Sequence, residues 1–208
     1  MENAVKALEI AVGVFFALLI LGSLVLGYNQ IANLRRTEYL VEQDTQAADF
    51  NKSYEVYNTN SIYGSEIFSL ANKVVDYNNK YKEEDGYEKL ELNVKFSKDY
   101  GDILRKNTSY TGDDLNDKYN YLSNTIKNTR EEKLTNNQGV QKTIQEWAKL
   151  SRITLTQNFG AGSSEYNKIE NYKDLITTQN DIVRTTFKCT GFTYYENGRI
   201  KSMNFVEN

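Results

Sequence analysis

From Ile10 to Leu26 the chain runs for seventeen residues, IAVGVFFALLILGSLVL, without a charge. At about 1.5 Å rise per residue, a helix of that length nearly covers a hydrocarbon core of roughly 30 Å. Ala7 and Leu8 extend the run across Glu9, the one charge at its edge. The stretch fits a short membrane-spanning helix. A cleaved signal peptide is the rival, because Val25 and Gly27 form a small-residue pair before a cut at Tyr28. Against that rival, the leader MENAVKALE carries one Lys and two Glu and is poorly basic.

Nothing stops this helix before about Asn58. Pro is missing from all 208 positions, so the strongest helix breaker never occurs. Past the span, Ile31, Leu34, Leu40, Val41, Ala47, Ala48, Phe50 and Tyr54 recur mostly at three-, four- and seven-residue intervals. Arg35, Arg36, Glu42, Gln43, Asp44 and Asp49 fall elsewhere, which makes an amphipathic pattern. The chain is thus expected to divide into a membrane segment, 1–28, an amphipathic continuation of the same helix, 29–58, and a globular domain, 59–208. Orientation is less constrained. Arg35 and Arg36 after the span, against Lys6 before it, lean toward a cytoplasmic domain. A single Cys and Tyr- and Asn-rich sheet segments lean toward export.

Within the domain, Ser65 can cap a helix running to about Asn79, with Ile67, Leu70, Ala71 and Val74 on one face. Tyr87 to Phe96 alternates, Leu90, Leu92, Val94 and Phe96 opposing Lys89, Glu91, Asn93 and Lys95, as a half-buried strand does. Helical spacing returns over Asp113–Lys127 and over Val140–Leu150, with the polar stretch from Asn128 to Gly139 as a solvated connection. Ile182–Tyr195 and Arg199–Val206 read as two strands joined at Asn197-Gly198, the sequence that suits a type I′ turn. That register sets Tyr195 against Ile200 and Phe192 against Met203. The expected class is α+β, a long N-terminal helix followed by helices and an antiparallel sheet ending in a C-terminal hairpin.

Composition removes several chemistries. The chain has no His, so Ser-His, Cys-His and His-metal catalysis are excluded, and Cys189 alone can form neither an intramolecular disulfide nor a multi-Cys zinc site. Burial as a small hydrophobe is the better account of Cys189. A net charge of -3, with 25 basic and 28 acidic residues dispersed along the chain, disfavours nucleic acid as a partner. No cofactor, metal, catalytic residue or small-molecule substrate is expected. Asp113, Asp114 and Asp117 lack the spacing of a helix-loop-helix calcium site and suit the first turn of a helix. Gly160-Ala161-Gly162-Ser163-Ser164 has no following Lys and reads as a plain loop. Glu83, Glu84 and Asp85 before Gly86 read as a solvated turn. Asn51-Lys52-Ser53 and Asn107-Thr108-Ser109 match the glycosylation sequon, a pattern short enough to arise by chance.

Ala4-Val5-Lys6-Ala7-Leu8-Glu9 followed by the apolar run Ile10–Leu26 resembles the N-terminus of type IV pilins and pseudopilins, over about the first 58 residues. In that family a peptidase cuts after a small residue and leaves Glu as the fifth residue, and a cut after Ala4 would place Glu9 there. The resemblance implies that Glu9 pairs with a neighbouring subunit's terminal amine, that the helices self-assemble, and that the domain sits on a filament surface. Two other accounts stay open. Glu9 can be a boundary charge that snorkels to the headgroups, and Lys6, three residues away, offers it an intrahelical partner. Gly13, Ala17 and Gly22 could let neighbouring helices approach closely. The alternative function is a membrane-tethered extracytoplasmic binding domain that forms no filament.

Because every element assigned to the domain follows Tyr28, a chain lacking residues 1–28 is expected to be soluble and to unfold in one cooperative thermal transition. An aggregated fragment without a cooperative melt would place the apolar run in the domain core.

Overall fold

The computed structural model describes residues 2–85 and 87–208, and the side chains of all of these except residues 4, 8, 39–44 and 85. The chain is α+β and divides into two units, Met1–Asn51 and Lys52–Asn208. The division falls within helix α1, Glu2–Glu55. This helix holds one stretch, Val5–Glu38, long and apolar enough to cross a membrane. Every side chain from Ile10 to Leu26 is exposed. Of the amphipathic stripe, Ile31, Leu34 and Ala48 are exposed, while Ala47 and Tyr54 are buried. Leu40 and Val41 lie outside the described side chains.

The second unit contains strand β1 (Ile62–Tyr63), helix α2 (Gly64–Lys80), strands β2 (Glu91–Lys95) and β3 (Ser109–Thr111), and helix α3 (Gly112–Arg130). Strands β4 (Lys133–Thr135) and β5 (Gln141–Thr143) follow, then helices α4 (Ile144–Ala148), α5 (Arg152–Phe159) and α6 (Ser164–Arg184). Strands β6 (Thr186–Tyr194) and β7 (Ile200–Glu207) end the chain. Glu83–Asp85 form a single 3₁₀ turn.

The main sheet has the order β1-β6-β7-β2-β3, and β4 and β5 form a separate ribbon. It is mixed, which corrects the expected antiparallel sheet: β2 runs parallel to β7, Leu92 beside Met203 and Val94 beside Phe205. Alternation shows which face a residue takes but carries no strand direction, so the sequence pattern could not separate the two cases. The faces are as expected. Leu90, Leu92, Val94 and Phe96 are each at most 1% exposed, while Glu91 and Lys95 are exposed. Asn78 of α2 holds Leu90 in place, its amide donating to the Leu90 carbonyl at 2.8 Å and accepting the Leu90 N–H at 2.9 Å. A side-chain amide thus supplies the two bonds that a neighbouring strand would make.

Several boundaries differ from the sequence reading. Helix α2 starts one residue before Ser65, which does not cap it; the Glu66 carboxylate accepts the Tyr63 N–H instead. Val140–Leu150 is not one helix: residues 141–143 pair with β4, and α4 begins only after Thr143. The switch is a capping box, in which Thr143 Oγ1 accepts from the Glu146 N–H and the Glu146 carboxylate accepts from the Thr143 N–H. Residues 133–135 of the expected solvated connection are therefore strand. Ile182 to Thr185 precede β6, with Ile182–Arg184 closing α6, a helix over a Tyr- and Asn-rich stretch whose apolar residues are sparse. Helices α4, α5 and α6 enclose a second core of Leu134, Ile144, Trp147, Leu155, Phe159, Ile169 and Tyr172. The Trp147 indole N–H donates to the Leu134 carbonyl, tying the β4–β5 ribbon to that core.

The hairpin turn is not type I′. Gly198 has φ +80° but Asn197 does not enter the left-handed region, and the Gly198 N–H donates to the Tyr195 carbonyl. This is the arrangement of a type I turn closed by a left-handed Gly. The Asn197 carboxamide oxygen accepts from the Arg199 N–H, a local bond that holds Asn197 in the turn. Phe192 does face Met203, whereas Ile200 faces Tyr194 rather than Tyr195.

Gly64 sits where α2 meets the end of α6. Its N–H donates to the Thr185 carbonyl, and a Cβ built on it would overlap the Ile182 carbonyl oxygen. Gly64→Ala is expected to destabilise the domain by about 1–3 kcal/mol or more, since backbone must shift to admit the methyl. The check is the urea midpoint against that of Gly112→Ala, whose Cβ would meet only ordinary contacts. Equal midpoints would refute the close approach.

Candidate functional site

Polar chemistry is concentrated at the edge of the apolar run and at the end of β7. In the first unit, Lys6 Nζ lies 3.2 Å from Glu2 Oε1. Of the two carboxylates within helical reach, Lys6 takes Glu2 rather than Glu9. With the carboxylate N-terminal to the ammonium at i,i+4, Glu2–Lys6 has the better helical geometry, and it leaves Glu9 exposed with no hydrogen bond or ion pair among the described residues. The side chain of Ala4, the expected processing position, lies outside the described residues. Ser23, the polar residue inside the run, is satisfied within its own helix by the Leu19 and Ile20 carbonyls.

A methyl added at Gly13 or Gly22 would meet no atom within 4 Å, and Ala17 is exposed. The three do not form one stripe. At about 100° per residue, Gly13 and Ala17 share a face, but Gly22, nine positions beyond Gly13, lies roughly opposite.

In the second unit, the Glu207 side chain is fully buried. Its Oε2 accepts from the N–H groups of Ser97 (2.6 Å) and Lys98 (2.9 Å), and its Oε1 accepts from the Tyr100 hydroxyl at 2.6 Å. Lys98 Nζ lies 3.8 Å from Oε1. Ser97 Oγ donates to the Glu207 carbonyl, and the Tyr100 hydroxyl also meets Thr185 Oγ1 at 2.7 Å. Lys98, Tyr100 and Thr185 line an open cleft of about 700 Å³ together with Asp181 and Arg184 of α6. A carboxylate with this many donors acts as a brace between the loop after β2 and the end of β7. Sequence reasoning missed it. The available signal was parity: Met203 and Phe205 point inward, so Glu207 must as well.

The remaining sequence candidates are accounted for locally. Asn197 bonds Glu88 through its amide nitrogen and belongs to the turn. Asp113 and Asp114 stand in the first turn of α3, where the Asp114 carboxylate accepts from the Thr111 N–H and hydroxyl. Among the described residues, no three His, Cys, Asp or Glu side chains are grouped to hold a metal ion. Gly160 and Gly162 take φ +83° and +77° in the turn between α5 and α6. Cys189 is a buried free thiol, its pKa pushed up by burial.

Burial pushes the Tyr100 pKa up to about 12, and the hydrogen bond to Glu207 adds to it; burial likewise pushes that of Tyr54 up to about 12. An unfolded Tyr ionises near 10, so the stability these groups contribute is fully present below about pH 10 and is lost as pH rises toward 12. Tyr100→Phe is therefore expected to fall less steeply in denaturant midpoint between pH 10 and 12 than the parent, while being less stable at pH 7. Parallel slopes would remove Tyr100 from the alkaline transition. No family model matches the chain, and neither a curated protein nor a solved structure matches it.

Proposed function

We propose that this chain is a non-enzymatic structural subunit of a pilus-like or pseudopilus-like assembly, anchored in a membrane by α1. The apolar N-terminal helices form the core, and the α+β domain forms the outer, extracytoplasmic surface. The observation that carries the reading is the unpartnered Glu9 at the edge of seventeen uncharged, exposed residues. An isolated carboxylate there is unfavourable, and a charge contributed by a neighbouring subunit is the compensation that assembly provides. The Glu2–Lys6 pair fits the same reading. A cut after Ala4 would remove Glu2, free Lys6 and create a terminal amine one turn from Glu9. Gly13 and Ala17, on one face, supply a place for close helix approach. Export is supported by the single, buried Cys and the Tyr-rich domain.

A plain membrane tether carrying a binding domain is the second reading, favoured by Arg35 and Arg36 being compatible with an ordinary single span. Glu9→Leu separates the two. In an assembly the substitution leaves each subunit's partner charge stranded in lipid, roughly 2.5–3.5 kcal/mol on insertion scales, so filament yield should collapse while membrane insertion and domain folding persist. Filaments counted by negative-stain microscopy at equal expression provide the readout. Undiminished yield, or no filaments from the parent chain, would leave the tether.

A further inference from the structure

The two sequons separate sharply in the fold. Asn51 is a residue of α1 and is only 8% exposed, so its amide is closed to a transferase. Asn107 stands at the foot of the loop between β2 and β3, two residues before β3, exposed, with φ +57°, the only left-handed backbone among the described non-glycine residues. This foot is held rather than loose: the Asn107 N–H donates to the Phe96 carbonyl, the Phe96 N–H donates to the Thr108 carbonyl, and the Arg105 N–H donates to the Tyr110 hydroxyl. The Asn107 carboxamide and the Ser109 hydroxyl, the two groups a sequon must offer, make no hydrogen bond among the described residues.

The adjoining strand gives a reason for a bulky, hydrated substituent at this place. Ser109–Thr111 is β3, an outer strand of the main sheet. Its residues Ser109, Tyr110 and Thr111 include no Lys or Pro, two of the devices that keep an open strand edge from pairing with another chain, and its shortness is the protection it has. A glycan two residues before the strand would shield that edge.

We propose that Asn107 is an N-glycosylation site, taking an oligosaccharide from a lipid-pyrophosphate-linked donor. The Asn107 amide nitrogen forms the bond to the anomeric carbon as the bond from that carbon to the pyrophosphate oxygen breaks. The amide gives up one proton to the transferase, and the lipid pyrophosphate leaves. The assignment rests on the reading that the domain lies outside the cytoplasm.

The test uses the full-length protein from the membranes of its native host. Tryptic cleavage after Lys106 and Lys118 yields one peptide, residues 107–118, that contains Asn107. Mass spectrometry is expected to find this peptide carrying hexose-containing mass, while the Asn51 peptide is unmodified. Asn107→Gln and, independently, Ser109→Ala should each abolish the added mass; Ser109→Ala keeps the left-handed Asn and guards against a folding defect. Protease treatment of intact cells reports where the domain lies. A domain removed by protease with an unmodified 107–118 peptide overturns the site and leaves the export reading intact. A protected domain with an unmodified peptide overturns both.

Discussion

The main sheet cannot close until its last strand is in place. Strand β7 lies between β6 and β2, and among the described strands nothing else joins the β1–β6 side to the β2–β3 side. Met203 and Phe205, 0% and 1% exposed, fill the space beside Leu92, Val94 and Cys189. The pairing of Asn93 with Asn204 spans 111 residues, so the entropy of closing that loop falls on the final eight residues of regular structure. Once β7 is seated, Glu207 draws the loop after β2 down upon it through two backbone N–H groups and a tyrosine hydroxyl. Hydrophobic contact supplies the drive, and the buried carboxylate fixes the register.

The polar groups inside the second unit work as substitutes for missing backbone partners. Asn78 stands in for a strand beside Leu90, Glu207 for a strand beside Ser97 and Lys98, and the Thr111 and Thr143 capping boxes satisfy the first turns of α3 and α4. A domain with short strands and no disulfide has many strand ends and helix ends to satisfy. Its wealth of Asn, Thr and Glu supplies the acceptors. The same composition lowers the apolar contrast along the chain, and that governs how much of the fold can be read in advance.

Where apolar contrast is strong, the sequence is informative. The faces of Leu90 to Phe96 and the inward side of α2 follow from periodicity, because burying an apolar side chain dominates the local choice, while the Phe192–Met203 pair follows from where the turn falls. Where contrast is weak, longer-range terms decide. Helix α6 buries Ile169, Tyr172 and Ile182 across a polar stretch whose spacing is diluted by Asn and Lys. Val140 has helical spacing with Ile144 and Trp147, but the Thr143 box and pairing with β4 override it. Strand direction depends on which strands meet across more than a hundred residues, and no local pattern carries that. At the N-terminal end, the unpartnered Glu9 is legible as a charge beside an apolar run. That Lys6 turns toward Glu2 rather than Glu9 depends on side-chain direction along the helix.

With no histidine and with its lone thiol shifted upward by burial, this chain has almost nothing to titrate across the middle of the pH scale. Ordinary carboxylates lose their protons near 4 and lysines hold theirs to about 10, so apart from a terminal amine the charge stays near its neutral-pH value from about pH 6 to about pH 9. The buried hydroxyls of Tyr54 and Tyr100 stay protonated beyond it, to about 12. A chain of this kind keeps its surface potential when its surroundings turn mildly basic, whereas acidification toward its isoelectric point of about 5.2 removes the net repulsion between adjacent copies.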